Sequence, residues 1–329
     1  MEQYLTLTVT DYEGTVEGYL RARAKLTRRQ ISRAKFYEKG ILKNGCRCRV
    51  TEPLAYGDVI SVCLETEQIN SSHLTVPTDN MVFPEILYED SDVIAVNKPA
   101  GTAIHPSGGH YNDTLSNQIY AYYANKDKKV CCRSVGRLDR VTSGIVLFAK
   151  NRPSAALLQK QRADGILQKQ YLAIVSGYLP TDTDTSDHRI TFPIKPDLCH
   201  PLKMQAVKNP LSGSDTDSLS GRKNVSPKTA VTHYRVLYGS SDWSLLLLRL
   251  ETGRTHQIRV HMAALDHPLL GDTLYGSHLP VPQPFRFTRA ALHAWRTDFI
   301  QPFSGKSISL EAPLPGDFLP VRQFLNKLP

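Results

Sequence analysis

Residues 136–144 place one carboxylate between two guanidinium groups, immediately before an apolar segment. Asp139 stands between Arg137 and Arg140, and two hydroxyl side chains and a glycine follow. Because flanking cations, hydroxyls and turn donors favour the charged form, we expect this carboxylate to stay ionised. Such a group suits a nucleophile or an electrostatic catalyst better than a general acid. An isolated pattern of this kind would be more typical of a surface salt bridge. The surrounding segments therefore decide whether Asp139 belongs to a catalytic site.

Three further segments carry residues suited to the same chemistry. Residues 96–106 predict the end of a strand and a rigid, glycine-bearing turn at the rim of a pocket. In a later strand, alternation places Lys169 and Tyr171 on one face. In a helix further on, His256 and Arg259 share a face at the i, i+3 spacing. Each side chain alone has a structural explanation, such as core packing or an ion pair, but their occurrence together favours a site.

The elements that would position these residues are mostly strands. Apolar, β-rich runs predict strands over residues 93–96, 145–148, 171–175, 230–237 and 243–250. Helices are predicted over residues 154–162 and 255–265, the second with Ile258 and Met262 on its packed side. Paired strands with occasional helices indicate an α+β fold around a large mixed β-sheet. Residues 201–228 are rich in Ser, Gly, Asp and Lys and predict a surface excursion.

A short segment near the amino terminus is strongly basic. Residues 21–49 contain eleven Lys or Arg and one acidic residue, in a chain whose net charge is +9. Thr27 and Gln30 predict a capping box at the start of a helix, and Gly40 predicts its end. A strand, an Asn-Gly turn and another strand are predicted to follow.

This segment resembles the small RNA-binding domain first known from the fourth small-subunit ribosomal protein. Residues 26–32, 40–45 and 54–60 carry the resemblance. It implies a small α/β domain whose basic helix contacts RNA, and the residues expected to do so are Arg28, Arg29, Arg33 and Lys35. The alternative is a solvated basic face, which is the usual meaning of a charge run.

Composition narrows the class of protein. At 329 residues the chain is long enough for one sizeable domain and a smaller one. No apolar run reaches the roughly 18 residues of a membrane span, and the amino terminus opens no signal peptide, so we expect a cytoplasmic protein without membrane contact. The six cysteines make no C-x-x-C spacing, so we expect reduced thiols, no metal and no cofactor. A monomer is expected.

At the residues described first, the chain resembles the pseudouridine synthases of the RluA and RluD type. The family's R-L-D-x-x-T-S-G motif matches residues 137–144, its K-x-Y motif residues 169–171, and its G-R-x-H-Q-[IL]-R motif residues 253–259. Its opening motif matches within residues 98–106 and a later one within residues 268–276, so the resemblance covers residues 80–329. Gly136 departs from the family, which often carries His there, and this leaves one local RNA contact open.

The resemblance implies roles for single residues. Asp139 would be the catalytic carboxylate, either attacking the anomeric carbon or first deprotonating the sugar. Arg259 would hold Asp139 through a planar two-donor pairing, and Tyr171 would stack on the base or move a proton. The residues expected to bind phosphates or support a flipped-out nucleotide are Arg137, Arg140, Arg254 and His256.

The expected organisation is an RNA-binding domain over residues 1–68, a linker over residues 69–79 and a catalytic domain over residues 80–329. The expected reaction is isomerisation of uridine to pseudouridine in structured RNA, with ribosomal RNA favoured over transfer RNA. Two alternatives belong to other classes. One is a ribosome-binding or assembly factor with a silent catalytic domain, and the other is a base-releasing glycosylase or nucleotide hydrolase, which would liberate free uracil.

Overall fold

The structure is a computed structural model that describes residues 3–64, 83–107, 109–126, 130, 132–182, 187–208, 226–276 and 279–325. The predicted linker over residues 69–79 lies outside the described residues, as does most of the predicted excursion over residues 201–228.

The first part of the chain folds into a small sheet with two helices. Its strands are β1 (Gln3–Thr8), β2 (Gly14–Thr15), β3 (Ile41–Lys43), β4 (Cys46–Arg47), β5 (Pro53–Leu54) and β6 (Val59–Leu64), and its helices are α1 (Val16–Ala22) and α2 (Arg28–Ala34). Strands β1, β6, β3 and β4 form an antiparallel sheet in that order, and β2 pairs with β5. The hairpin of β3 and β4 confirms the predicted Asn-Gly turn.

Helix α2 begins with the predicted capping box. The Gln30 N–H donates to the Thr27 hydroxyl, and the Thr27 N–H donates to the Gln30 side chain. The helix ends at Ala34, earlier than Gly40 predicted, because the chain folds back on itself: a Cβ on Gly40 would lie 1.7 Å from the carbonyl oxygen of Ala34. Apolar side chains of both helices and the sheet share one core, against which Phe303 also packs.

The rest of the chain is built on strands. These are β7 (Glu85–Glu89), β8 (Val93–Lys98), β9 (Arg133–Val135), β10 (Ser143–Ala149), β11 (Gln168–Ser176), β12 (His188–Ile190), β13 (Ile194–Pro196), β14 (Met204–Ala206), β15 (Thr232–Gly239), β16 (Trp243–Leu250), β17 (Leu292–Ile300) and β18 (Ser307–Glu311). The helices are α3 (Leu115–Ala124), α4 (Arg152–Ala163), α5 (Gln257–Ala264) and α6 (Arg322–Leu325), with a 3-10 turn at Gly316–Val321. The five predicted strands are confirmed as β8, β10, β11, β15 and β16, and the two predicted helices as α4 and α5.

Ten of these strands form one mixed sheet. Its order is β12-β15-β16-β11-β17-β10-β8-β7, with β18 paired to β17 and β9 to β10. The pair of β10 and β17 is parallel, and the other described pairs are antiparallel. A large mixed sheet with few helices confirms the predicted α+β fold.

Both faces of the mixed sheet are buried, as strand β11 illustrates. Tyr171 and Ala173 point to the core that α5 covers, where Ile258 and Met262 pack as predicted. Their neighbours along the strand belong to a second core on the opposite face, which includes Phe318. Because successive side chains of a strand point to opposite faces, one strand serves both cores and also presents side chains at its end.

Candidate active site

A cavity of about 1070 Å³ opens where several elements of the mixed sheet end. Its walls are the loop before β10, the start of β11, the start of β15, the end of β16, the end of α4 and the start of α5. Asp139, Tyr171 and Arg259 all line it, although they lie far apart in the sequence. The structure therefore brings together the three residues that the sequence marks as catalytic candidates.

Asp139 lies in the loop between β9 and β10, and its side chain is 16% exposed. Its carboxylate Oδ2 is 3.8 Å from Nη1 of Arg259. Within the described residues this is its only ion pair, so neither Arg137 nor Arg140 pairs with it. The cation beside Asp139 thus comes from α5, and an influence of the flanking arginines on its charge stays a prediction.

The residues after Asp139 fix the strand rather than the carboxylate. Ser143 Oγ is 2.9 Å from Nδ1 of His293, a buried contact between β10 and β17. Gly144 has a φ of 108°, and a Cβ there would lie 2.1 Å from the carbonyl oxygen of Ala294. Only glycine allows the two parallel strands to approach this closely. Ser143 and Gly144 thus position the loop rather than contact the carboxylate, whereas the predicted tight turn is present, because the Thr142 N–H donates to the Asp139 carbonyl at 3.1 Å.

The turn after β8 holds the same loop from another side. Lys98 is fully buried, and its Nζ donates to the carbonyls of Pro99 and Thr102 at 2.9 Å and of Arg140 at 3.0 Å. Burial lowers the pKa of Lys98 to about 7, while the negative charge of Asp139 acts in the opposite direction. None of residues 96–106 lines the cavity, so the prediction of a pocket rim was wrong, and this turn instead supports the backbone beside Asp139.

Tyr171 and Lys169 both reach the cavity from β11, as strand alternation predicted. Tyr171 is 6% exposed, and burial together with the charge of Asp139 raises the pKa of its hydroxyl. The phenol therefore stays protonated at neutral pH. A flat apolar ring with a protonated hydroxyl beside a carboxylate suits base stacking or proton transfer.

Arg259 makes its two-donor contact with Asp272. Its Nε and Nη2 each donate to that carboxylate at 2.7 Å, and the two side chains are only 3% and 0% exposed. The N–H groups of Leu274 and Tyr275 donate to the same carboxylate. The predicted ion pair with Asp139 is present, but the planar fork belongs to Asp272. One nitrogen, Nη1, is left facing Asp139, so the guanidinium is fixed independently of the group it serves.

His256 and Tyr275 complete this side of the cavity. His256 has a left-handed backbone with a φ of 55°, and its Nδ1 is 3.0 Å from the Tyr275 hydroxyl. The Tyr275 ring stacks on the Arg259 guanidinium at 5.1 Å, and its hydroxyl accepts the Met204 N–H. Burial lowers the pKa of His256, with Asp139 opposing, so the imidazole is neutral at neutral pH. Tyr275 belongs to the family motif within residues 268–276, but the sequence interpretation assigned no function to it.

The predicted RNA contacts fall into three groups. Arg137 and Arg254 are exposed and line the cavity together with His256. Arg140 is not among the lining residues, and its Nη1 lies 3.5 Å from Nε2 of His110. The side chain of Arg140 thus lies outside the cavity wall while its backbone carbonyl accepts from Lys98, and its contact with RNA stays a prediction.

The amino-terminal candidates do not line the cavity. Arg28, Arg33 and Lys35 are exposed on and just after α2. Arg29 belongs to α2, but its side chain lies outside the described residues.

Among the described residues, no group of three or more His, Cys, Asp or Glu side chains could hold a metal ion. None of the described helices has the length and hydrophobicity of a membrane span.

Comparison with known proteins identifies the chemistry of this site. Residues 92–264 match the profile of the family described as RNA pseudouridylate synthase. The chain belongs to this family. The synthase is therefore an isomerase that converts uridine to pseudouridine in RNA. The glycosylase and hydrolase alternatives do not agree with this result.

Several relatives cover most of the synthase. It is 39% identical over 237 residues to the uncharacterized RNA pseudouridine synthase YhcT of Bacillus subtilis, an alignment that covers 71% of the chain and 69% of that protein. It is 37% identical over 243 residues to ribosomal large subunit pseudouridine synthase D of Zymomonas mobilis, with 71% and 70% covered. Among solved structures, human RNA pseudouridylate synthase domain containing 1 has a TM-score of 0.52 at 27% identity, with 74% of this chain and 88% of that chain covered.

Replacing Lys98 by Met in the synthase should lower stability and rate together. Three carbonyls lose a buried donor, and each one left unsatisfied away from water costs about 1–3 kcal/mol. We expect a fall in Tm on the order of 5–10 °C, and slower isomerisation because the Asp139 loop loses its support. Calorimetry and a single-turnover assay measure the two effects, with Lys160→Met in α4 as the control. A Tm equal to that of the control would show that the ammonium does not hold the loop.

Proposed function

We propose that the synthase isomerises uridines of ribosomal RNA, with Asp139 as its catalytic carboxylate. The observation that carries the proposal is the placement of Asp139, 16% exposed in the wall of the cavity and 3.8 Å from a fixed nitrogen of Arg259. A carboxylate held beside such a cation in the cavity wall can attack, or deprotonate, a ribose brought to it. The cavity of about 1070 Å³ is large enough for a nucleotide.

In this proposal Tyr171 and Arg259 have different tasks. The bond between the ribose and the uracil nitrogen breaks, the base turns, and a uracil carbon bonds to the same ribose carbon. Tyr171 stacks on the base during this turn or moves the proton that the new bond displaces. Arg259 holds Asp139 in place, because its own fork is already fixed by Asp272.

The substrate has to enter the cavity as a flipped-out nucleotide. Extruding a paired base costs on the order of a few kcal/mol, which phosphate contacts help to offset. Arg137 and Arg254 are exposed at the cavity and can make such contacts. The name ribosomal large subunit pseudouridine synthase D, carried by several relatives, supports ribosomal RNA over the alternative of transfer RNA.

We propose that residues 1–68 form an RNA-binding domain, residues 69–79 a linker and residues 80–329 the catalytic domain. The separate core under α1 and α2 and the exposed cations of α2 support this division. We further propose a cytoplasmic monomer.

The direct test is to map pseudouridines in total RNA from cells with and without the protein. We expect one or a few positions of large-subunit ribosomal RNA to lose the modification, and the purified protein to restore it. Loss at transfer RNA positions alone would select the alternative substrate. An unchanged map, with no conversion by the purified protein, would favour a non-catalytic assembly factor.

Deleting residues 1–68 should leave a folded catalytic domain that binds RNA more weakly. Arg28, Arg33 and Lys35 are exposed cations, and each lost phosphate contact should make the slope of log affinity against log salt shallower by about 0.7–0.9. A small fall in Tm is also expected, because Phe303 loses the core against which it packs. A salt titration by filter binding, together with calorimetry, measures both effects.

The control for this deletion is the full-length chain with Arg28, Arg33 and Lys35 all replaced by Ala. It keeps the first sheet and the cover over Phe303, so it should reproduce the weaker binding without the change in Tm. A truncated protein with unchanged affinity across the salt titration would contradict an RNA-binding role for α2.

A further inference from the structure

Arg162 is an exposed residue in the last turn of α4, and it lines the cavity without a role in the site described above. Its guanidinium lies over Gly136, the residue that opens the Asp139 loop. A Cβ on Gly136 would be 3.6 Å from Cζ and Nε of Arg162. The space above Gly136 that a side chain would enter is therefore occupied by a guanidinium from another element.

The same guanidinium also meets the turn that leads into α5. A Cβ on Gly253 would lie 2.5 Å from Nη2 of Arg162, closer than real Cβ contacts. Two backbone segments without side chains thus flank the guanidinium, one beside Asp139 and one before Arg254. The positive charge of Arg162 also acts on the pKa values of Lys169 and Tyr171 in the lowering direction, which places it in the electrostatic field of the cavity.

No described residue pairs with this guanidinium. Besides Asp139, the cavity wall contains two acidic residues, and both have other partners. Asp164 pairs with Lys160, and Glu251 pairs with His233. Arg137 has no acceptor among the described residues either, whereas three other arginines of the wall do. Arg259 binds Asp272, Arg249 binds Asp187, and Arg254 donates to the Thr229 carbonyl.

We propose that Arg162 is a substrate-binding residue, whose guanidinium contacts a phosphate of the RNA next to the target uridine. A guanidinium presents several donors in one plane and matches phosphate oxygens, and here those donors are unpaired and lie between the two loops of the site. Arg162 joins Arg137 and Arg254 in a line of exposed cations along the wall of the cavity. This inference rests on the proposed function.

The test compares Arg162→Ala with the wild type in steady-state pseudouridine formation. The probe is total RNA from cells that lack the protein, so that the assay contains the target whichever RNA carries it. We expect KM to rise about tenfold with kcat changed less than about twofold, because a hydrogen bond to a charged group is lost in binding. The slope of log kcat/KM against log salt should become shallower by about 0.7–0.9.

Lys160→Ala is the matched control, since it removes one charge from the same helix at a residue that does not line the cavity. It should change KM less than about twofold, as surface substitutions usually do. Arg162→Ala with the KM and salt slope of this control would overturn the inference. A wild-type protein that forms no pseudouridine would instead reject the proposed function and the inference with it.

A second variant tests the position of the guanidinium without removing it. Gly253→Ala puts a Cβ where Nη2 of Arg162 now lies, so the flexible arginine has to move away. We expect Gly253→Ala to raise KM in the protein that retains Arg162. In the Arg162→Ala variant it should cause no further rise in KM. Equal effects of Gly253→Ala in both backgrounds would show that its influence does not pass through Arg162 and would contradict the inference.

Discussion

Asp139→Asn should abolish isomerisation while leaving a folded protein that binds RNA. The amide keeps the size of the side chain but lacks the negative charge and the basic or nucleophilic oxygen that the reaction needs. Its ion pair with Arg259 is long, at 3.8 Å, so its loss should lower Tm by only about 3 °C. RNA affinity should stay the same or rise slightly, because an anion near phosphates is removed.

The measurement is single-turnover conversion of a target RNA with enzyme in excess, read by pseudouridine-specific chemistry. We expect the rate of Asp139→Asn to fall by at least about 10⁴-fold, the scale seen when a nucleophile is removed. Asp164→Asn is the control, since this carboxylate lines the same cavity but pairs with Lys160. It should keep most of the rate, and a near-normal rate for Asp139→Asn would reject the catalytic assignment.

Arg259→Lys should cause the next largest loss of rate and a larger loss of stability. An ammonium cannot make two parallel bonds to Asp272 and also direct a third nitrogen at Asp139. Asp272 would remain as a buried charge with one good donor fewer, so we expect Tm to fall on the order of 5–10 °C. The rate should fall about 10²–10³-fold with little change in RNA affinity.

Arg289→Lys is the control that separates the loss of rate from the loss of stability. Arg289 makes the same kind of fork with Asp317, through Nε at 2.7 Å and Nη2 at 2.9 Å, but it does not line the cavity. Its replacement should lower Tm by a similar amount and retain far more of the rate. Near-normal turnover of Arg259→Lys would mean that the site needs only a positive charge at this position.

The sequence pattern was sufficient to predict which residues share a face when they belong to a single strand or helix. Alternation along β11 placed Lys169 and Tyr171 on one face, and helical spacing placed Ile258 and Met262 on the packed side of α5. These placements depend on the periods of a strand and a helix, which the sequence displays directly.

The sequence pattern could not predict the partner of a side chain when that partner comes from another part of the fold. The fork of Arg259 binds Asp272, which lies beyond the end of α5, and sequence spacing cannot show that the chain returns there. The Gly271-Asp272 pair within the family motif was the available signal. Arg162 had no signal, because its contact with two glycine-bearing loops exists only after folding.

Strand β17 was missed for a related reason. It lies between β11 and β10 in the middle of the sheet, yet its segment mixes His293, Thr297 and other polar residues with apolar ones. His293 and Thr297 are fully buried there. Their burial follows from the neighbouring strands rather than from their own hydrophobicity, so no apolar alternation marks the segment.

The pairing of β10 with β17 also determines when the Asp139 loop can form during synthesis. Ser143 and His293 are 150 positions apart, and Gly144 rests directly on the backbone of Ala294. A nascent chain that has not yet extended beyond these residues lacks the strand against which the loop is fixed, because contacts of such sequence separation form late. We therefore expect a chain that ends before Leu292 to be unable to hold the Asp139 loop in place.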